Sequence, residues 1–183
     1  MLTMFNRASP TAAETALLAC CHSRTWARRL AAHRPYPTVE ALLAAADEAA
    51  YDLTPADLAE ALAGEATTAL PHRGNLAVHT ALRAAHAAYE ARFGHVFVIA
   101  LDRTDPTAAL DEMLAALRVR LGHDADTEAV TTAEQLRRLA RARLTRLATG
   151  GGAAPYAPGP ALPAQARGGA AAGFTRPCGI DHT

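Results

Sequence analysis

The chain has 183 residues, half of them hydrophobic, and its 18 basic and 18 acidic side chains cancel at neutral pH. That length predicts one domain with enough apolar residues to bury a core, and no apolar run is long enough to span a membrane. The charge balance excludes a strong electrostatic pull toward nucleic acid or anionic lipid.

Ser9-Pro10 before Thr11-Ala12-Ala13-Glu14 predicts a helix start, with Ala16, Leu17, Cys20 and Cys21 along one stripe. A second helix begins at Ser23, which can cap it, and carries Trp26 and Leu30 inward until Arg34-Pro35-Tyr36-Pro37 breaks it. Thr38 to Tyr51 forms a third, with Val39, Leu42, Leu43 and Ala46 on one side. Thr54-Pro55-Ala56-Asp57 starts a fourth, threonine as cap and proline in the first turn, running to about Ala63. Gly64, Pro71 and Gly74 then punctuate a loop that reaches Asn75. A fifth helix is expected from Leu76 to Phe93, a sixth from Pro106 to Leu121 and a seventh from Thr131 to Ala148. Helix upon helix without alternating strands predicts an all-α, compact multi-helix bundle over residues 1–148. Residues 149–183 are rich in glycine, proline and alanine and are expected to stay disordered unless a partner holds them.

Met1 to Arg7 lack the basic start and apolar stretch of a secretory signal, which predicts a cytoplasmic protein. The cysteines, Cys20, Cys21 and Cys178, form no Cys-x-x-Cys pair, which argues against a disulfide framework and a zinc site. Cys20 is expected as a small buried apolar side chain.

The run Tyr89-Glu90-Ala91-Arg92-Phe93-Gly94-His95-Val96-Phe97-Val98-Ile99 interrupts the helical pattern. Gly94 can take the left-handed conformation that ends a helix, and Phe97, Val98 and Ile99 suit a buried, extended or tightly wound segment. Backbone N–H groups released there can face an anionic ligand, although an ordinary helix end feeding a core connection explains the same pattern.

Several ordered motifs add a resemblance. Phe5-Asn6, Leu17-Leu18-x-Cys20-Cys21-x-Ser23-x-x-Trp26, Arg34-Pro35-Tyr36, Ala45-Ala46-Asp47 and Asp57-x-x-Glu60-Ala61-Leu62 are followed by Tyr89-x-x-Arg92-Phe93-Gly94-x-x-Phe97-Val98-Ile99, Arg120-Leu121 and Arg143-Leu144. In this order, over residues 5 to about 148, the chain resembles the 2-oxo-4-hydroxy-4-carboxy-5-ureidoimidazoline (OHCU) decarboxylase family. The resemblance implies an all-helical homodimer, without metal or organic cofactor, that converts this product of urate oxidation to (S)-allantoin and carbon dioxide.

Such a carboxy-lyase needs donors that hold the carboxylate and ring oxygens, and an acid that protonates the carbanion-like centre. The family places that acid, a histidine, in a His-Pro motif after the Glu-Ala-Leu of the fourth helix. Here Glu65 stands at the histidine position and Ala66 at the proline position. The family's Ser-x-x-Glu-Gln segment has no counterpart, and the interval from Glu65 to Phe93 is about twenty residues shorter than in the family, as loops tolerate. Glu65 is therefore the candidate acid, since burial can favour a neutral carboxyl, with His72 as the weaker alternative. Ala66, Gly94, His95, Val96, Phe97, Val98 and Arg143 are the candidate substrate-binding residues. Arg143 belongs to the run Arg137-Arg138-x-x-Arg141-x-Arg143-x-x-Arg146, which by pattern is a solvated face, whereas the resemblance turns it toward the pocket. With the family histidine absent, two alternatives stand beside the decarboxylase: a catalytically silent paralogue acting as a binding or assembly module, and an enzyme acting on another small carboxylate.

Overall fold

The computed structural model describes residues 1–66, 76–101 and 106–151, excepting the side chains of Leu76, Val78 and Pro106. His72, Cys178 and residues 152–183 of the tail lie outside the described residues. Within them the chain is all-α, with helices α1 (Leu2–Arg7), α2 (Pro10–Leu18), α3 (Arg24–Ala32), α4 (Val39–Tyr51), α5 (Pro55–Gly64), α6 (Leu76–Phe93), α7 (Pro106–Arg120) and α8 (Ala125–Thr149). No helix among the described residues is long and apolar enough to cross a membrane.

The helix starts follow local chemistry. The side chains of Ser9, Ser23 and Thr38 accept from the amides of Ala12, Trp26 and Ala41, and Thr54 forms a reciprocal capping box with Asp57. Two elements differ from the sequence expectation. Helix α1 has too short an apolar pattern to announce itself; Phe5 is buried, and Arg34 donates to the carbonyls of Phe5 and Ala8 at its C-terminal end. Helix α8 begins at Ala125 rather than Thr131, because Asp124 caps it by accepting from the Thr127 amide at 2.7 Å. The added turns carry Glu128, which matters below.

Two apolar clusters lie beneath these helices. The larger joins Leu17, Trp26, Leu30, Leu42, Leu136 and Leu144 from α2, α3, α4 and α8. The smaller gathers Leu82, Tyr89, Phe97, Ile99, Met113 and Leu117 around α6 and α7. Most polar motif residues are staples between elements. Asn6 and the Tyr36 backbone exchange hydrogen bonds of 2.8 and 3.0 Å, and the Trp26 indole donates to the Ala46 carbonyl at 3.0 Å. Asp47 on α4 accepts from Arg137 and Arg141 of α8, while Asp57 and Glu60 of α5 accept from Thr25 and Arg24 of α3. Shape-specific packing and satisfied polar pairs thus set α5, α8 and the segment after α6 around one space.

Candidate functional site

Gly94 ends α6 with φ +78°, its amide donating to the Glu90 carbonyl at 2.9 Å. This left-handed C-terminus turns the chain into an extended segment, as its sequence anticipates, and buries Phe97, Val98, Ile99 and Ala100. Among the described residues no backbone carbonyl accepts from the amides of residues 95 to 99. The segment is held instead by side chains. Gln135 accepts from the Ala100 amide at 2.9 Å, and Arg120 donates to the Val98 carbonyl at 2.7 Å.

Arg120 belongs to a buried polar network. Its guanidinium donates to Glu128 Oε1 at 2.6 and 2.8 Å and to Thr132 at 2.9 Å, and lies 4.5 Å from the centre of the Phe97 ring. The Tyr89 hydroxyl donates to Glu128 Oε1, while His123 Nδ1 lies 2.9 Å from Oε2. Burial pushes against the Glu128 carboxylate, but the bonds from Arg120, Tyr89 and Thr132 outweigh it and hold its carboxyl below the ordinary range. Burial and Glu128 push the Tyr89 phenol up to about 12, so it remains a donor. The network is a fully partnered brace behind the segment rather than a set of free reactive groups.

A cavity of about 520 Å³ lies between α5, residues 93–96 and α8. Leu58, Ala59 and Leu62 make its apolar wall; Gly94, His95 and Val96 line it from the segment after α6; Thr132 closes it from α8. Among the described residues Glu65 is the one carboxylate that lines it. The His95 imidazole packs edge-on against Tyr89, with ring centres 5.5 Å apart, and its Nδ1 is 3.0 Å from the Val96 carbonyl.

Glu65 follows the last residue of α5 in an extended conformation, which aims its side chain back beneath the helix end. Its side chain is 2% exposed. Arg143 Nη1 and Nη2 donate to its two oxygens at 2.6 and 2.8 Å, a fork-to-fork pair, and Nη1 also donates to the Cys20 carbonyl at 3.2 Å. His22 Nδ1 lies 3.3 Å from Glu65 Oε1. The bonds from Glu65 outweigh burial and raise the Arg143 pKa, so the guanidinium stays charged. Burial pushes the Cys20 and Cys21 thiols up to about 11, leaving both protonated beside this pair.

The sequence candidates therefore divide. Glu65, Gly94, His95 and Val96 share the cavity wall. Ala66 is the next residue after Glu65, and Phe97 and Val98 turn their side chains into the core. Arg143 is on neither the solvated face nor the cavity wall: it lies behind Glu65, its fork already occupied. His22 escapes sequence reading because 43 residues separate it from Glu65, and only the packing of the α2–α3 turn against the end of α5 joins them. Among the described residues no group of three His, Cys, Asp or Glu side chains could hold a metal ion.

Comparison with known proteins agrees with this architecture. No curated protein matches the sequence. The chain superposes on a crystal structure of (S)-allantoin synthase with TM-score 0.62 and 20% identity, covering 79% of this chain and 53% of that one. This chain thus spans about half the length of that protein. A crystal structure of OHCU decarboxylase in the presence of (S)-allantoin superposes with TM-score 0.62 and 20% identity, over 72% of this chain and 96% of that one. The OHCU decarboxylase family model matches residues 6–67 and 64–145, two stretches that overlap at residues 64–67. The chain belongs to the OHCU decarboxylase family.

Proposed function

We propose that the cavity binds a small ureidoimidazoline carboxylate and decarboxylates it to (S)-allantoin and carbon dioxide. The observation that carries this reading is the run of amides at residues 95–99, without backbone acceptors among the described residues, beginning on the cavity wall beside the buried carboxyl of Glu65. In a dry site, fixed N–H groups stabilise a carboxylate and the charge that develops on ring oxygens.

The Glu65–Arg143 pair fits an anionic substrate. An unpaired carboxylate about 4 Å from a substrate carboxylate would repel it by about 4 kcal/mol at an effective dielectric near 20. The Arg143 fork cancels that charge, so Arg143 acts on the substrate through Glu65. When the carboxylate leaves as carbon dioxide, the bonding pair stays on carbon, and Glu65 on the cavity wall delivers the proton that completes the product. Arg143 and the backbone of residues 94–98 hold positions; Glu65 moves the proton.

The occupied fork also favours a second reading, a silent paralogue in which the ion pair is only a structural staple. One measurement separates the two. The purified chain is mixed with freshly generated urate oxidation product, and circular dichroism follows the appearance of (S)-allantoin. A decarboxylase forms it faster than buffer does; a silent paralogue leaves the buffer rate unchanged.

A further inference from the structure

Decarboxylation consumes one proton per turnover, because the carbon that loses carbon dioxide must be protonated. A group that supplies this proton must be reloaded from water. The Glu65 side chain is 2% exposed, substrate in the cavity it lines closes the cavity side to water, and Arg143 donates to both of its oxygens. The resting carboxylate is therefore an acceptor without a proton of its own to give. Among the described residues His22 is the one neighbour on Glu65 that can carry a proton in and is itself wet: Nδ1 is 3.3 Å from Oε1, and the side chain is 36% exposed. The neighbouring thiols of Cys20 and Cys21, with pKa values near 11, remain protonated near neutrality and do not take that proton.

The fit around His22 is built. A Cβ on Gly64 would lie 2.4 Å from both Cβ and Cγ of His22, well inside contact distance. Those atoms are the root of the side chain, so the ring cannot swing clear without moving the α2–α3 turn. Any side chain at position 64 would thus push the imidazole away from Glu65, and glycine is what admits it.

We infer that His22 is the positioning residue of Glu65 and the port through which that carboxylate receives its proton from solvent. The inference rests on the decarboxylase reading above. Imidazolium Nδ1–H passes its proton to Oε1 of Glu65, and Arg143 keeps its hold on Oε2. Glu65 passes that proton to the carbanion-like carbon as carbon dioxide departs with the broken C–C bond, and the ring takes its next proton from water. Every proton gained by the product is one lost by solvent, and no oxidant or reductant enters.

The test uses the full chain with His22→Ala and His22→Asn, the latter keeping a hydrogen-bond donor but no transferable proton. In the circular-dichroism assay both variants are expected to lose about 10²-fold in kcat with KM within about twofold, the scale of a single acid–base step. Free imidazole in the buffer restores the rate of His22→Ala in proportion to its concentration, a rescue that a structural contact would not show. Nitrogen NMR of the His22 ring reports the contact without turnover: the hydrogen-bonded Nδ1–H signal of the wild type disappears in Glu65→Ala, which leaves no acceptor. If the wild type forms no (S)-allantoin above buffer, the decarboxylase reading falls and the relay with it. If the wild type is active while His22→Ala keeps its kcat, or His22→Asn restores it, the decarboxylase reading stands and the role of His22 is overturned.

Discussion

Replacing Arg143 by methionine tests how the Glu65–Arg143 pair is built, because each partner leaves the other in a different position. Without Arg143, the Glu65 carboxylate is stranded with a side-chain exposure of 2% and His22 as its remaining partner. Removing one member of a buried ion pair costs about 3–5 kcal/mol. The destabilisation of Arg143→Met should thus be about 3–5 kcal/mol at pH 7.

Glu65→Gln keeps one acceptor for Arg143, whose side chain is 15% exposed and still bonded to the Cys20 carbonyl; its cost is about 2 kcal/mol, roughly one charge-assisted hydrogen bond. The double variant removes the stranded charge, so a double-mutant cycle should return a coupling of about 2–3 kcal/mol at pH 7. Urea unfolding followed by far-UV circular dichroism measures all four proteins, and at this chain length each kcal/mol corresponds to about 2–4 °C in Tm. An Arg143→Met deficit below about 1 kcal/mol, or a coupling below about 0.5 kcal/mol, would refute the buried fork.

Three further outcomes follow from neighbouring features. Glu128→Gln breaks the brace that joins Arg120 to Tyr89 and Thr132 and should cost about 3 kcal/mol or more at neutral pH. Since the Glu128 carboxyl is held below its ordinary value in the folded chain, that contribution is present above its unfolded pKa and lost as pH falls through the lower folded one. The stability gap between wild type and Glu128→Gln should therefore close below about pH 4 in a urea series, and a constant gap contradicts the assignment. Gly64→Ala sets a methyl against His22 and should destabilise by about 1–3 kcal/mol, as overpacking does, while His22→Ala in the same chain, which keeps the clashing Cβ, recovers only part of the loss and His22→Gly recovers more. With pKa values raised to about 11, Cys20 and Cys21 should resist iodoacetamide at pH 8 in the native chain and react once urea is added, as peptide mass spectrometry will read.

Local signals decided much of this fold in advance. Ser9, Ser23, Thr38 and Thr54 cap their helices through contacts three residues away, so the helix starts are legible in a short window of sequence. The turn at Gly94 is equally local, because a residue with positive φ that follows a helix and precedes a β-favouring run has few other uses. Where the sequence expectation fell short, the deciding contact was distant or the pattern too brief. Helix α1 is held by Arg34, and the first turns of α8 were hidden because Glu128, a charged residue, is 1% exposed and fixed by Arg120 and Tyr89.

By itself the sequence determined the helical class, the family and the break at Gly94, since capping, periodicity and motif order are properties of neighbours along the chain. It also marked Glu65 and Arg143 as residues to weigh, but not their relation. Only the tertiary structure brought together groups 78 and 43 residues apart, turned Arg143 from a ligand for substrate into a partner for Glu65, and set His22 against Gly64. Charge pairing and close packing act through space, and their strength depends on burial and on distances of a few ångströms that no spacing along the chain encodes.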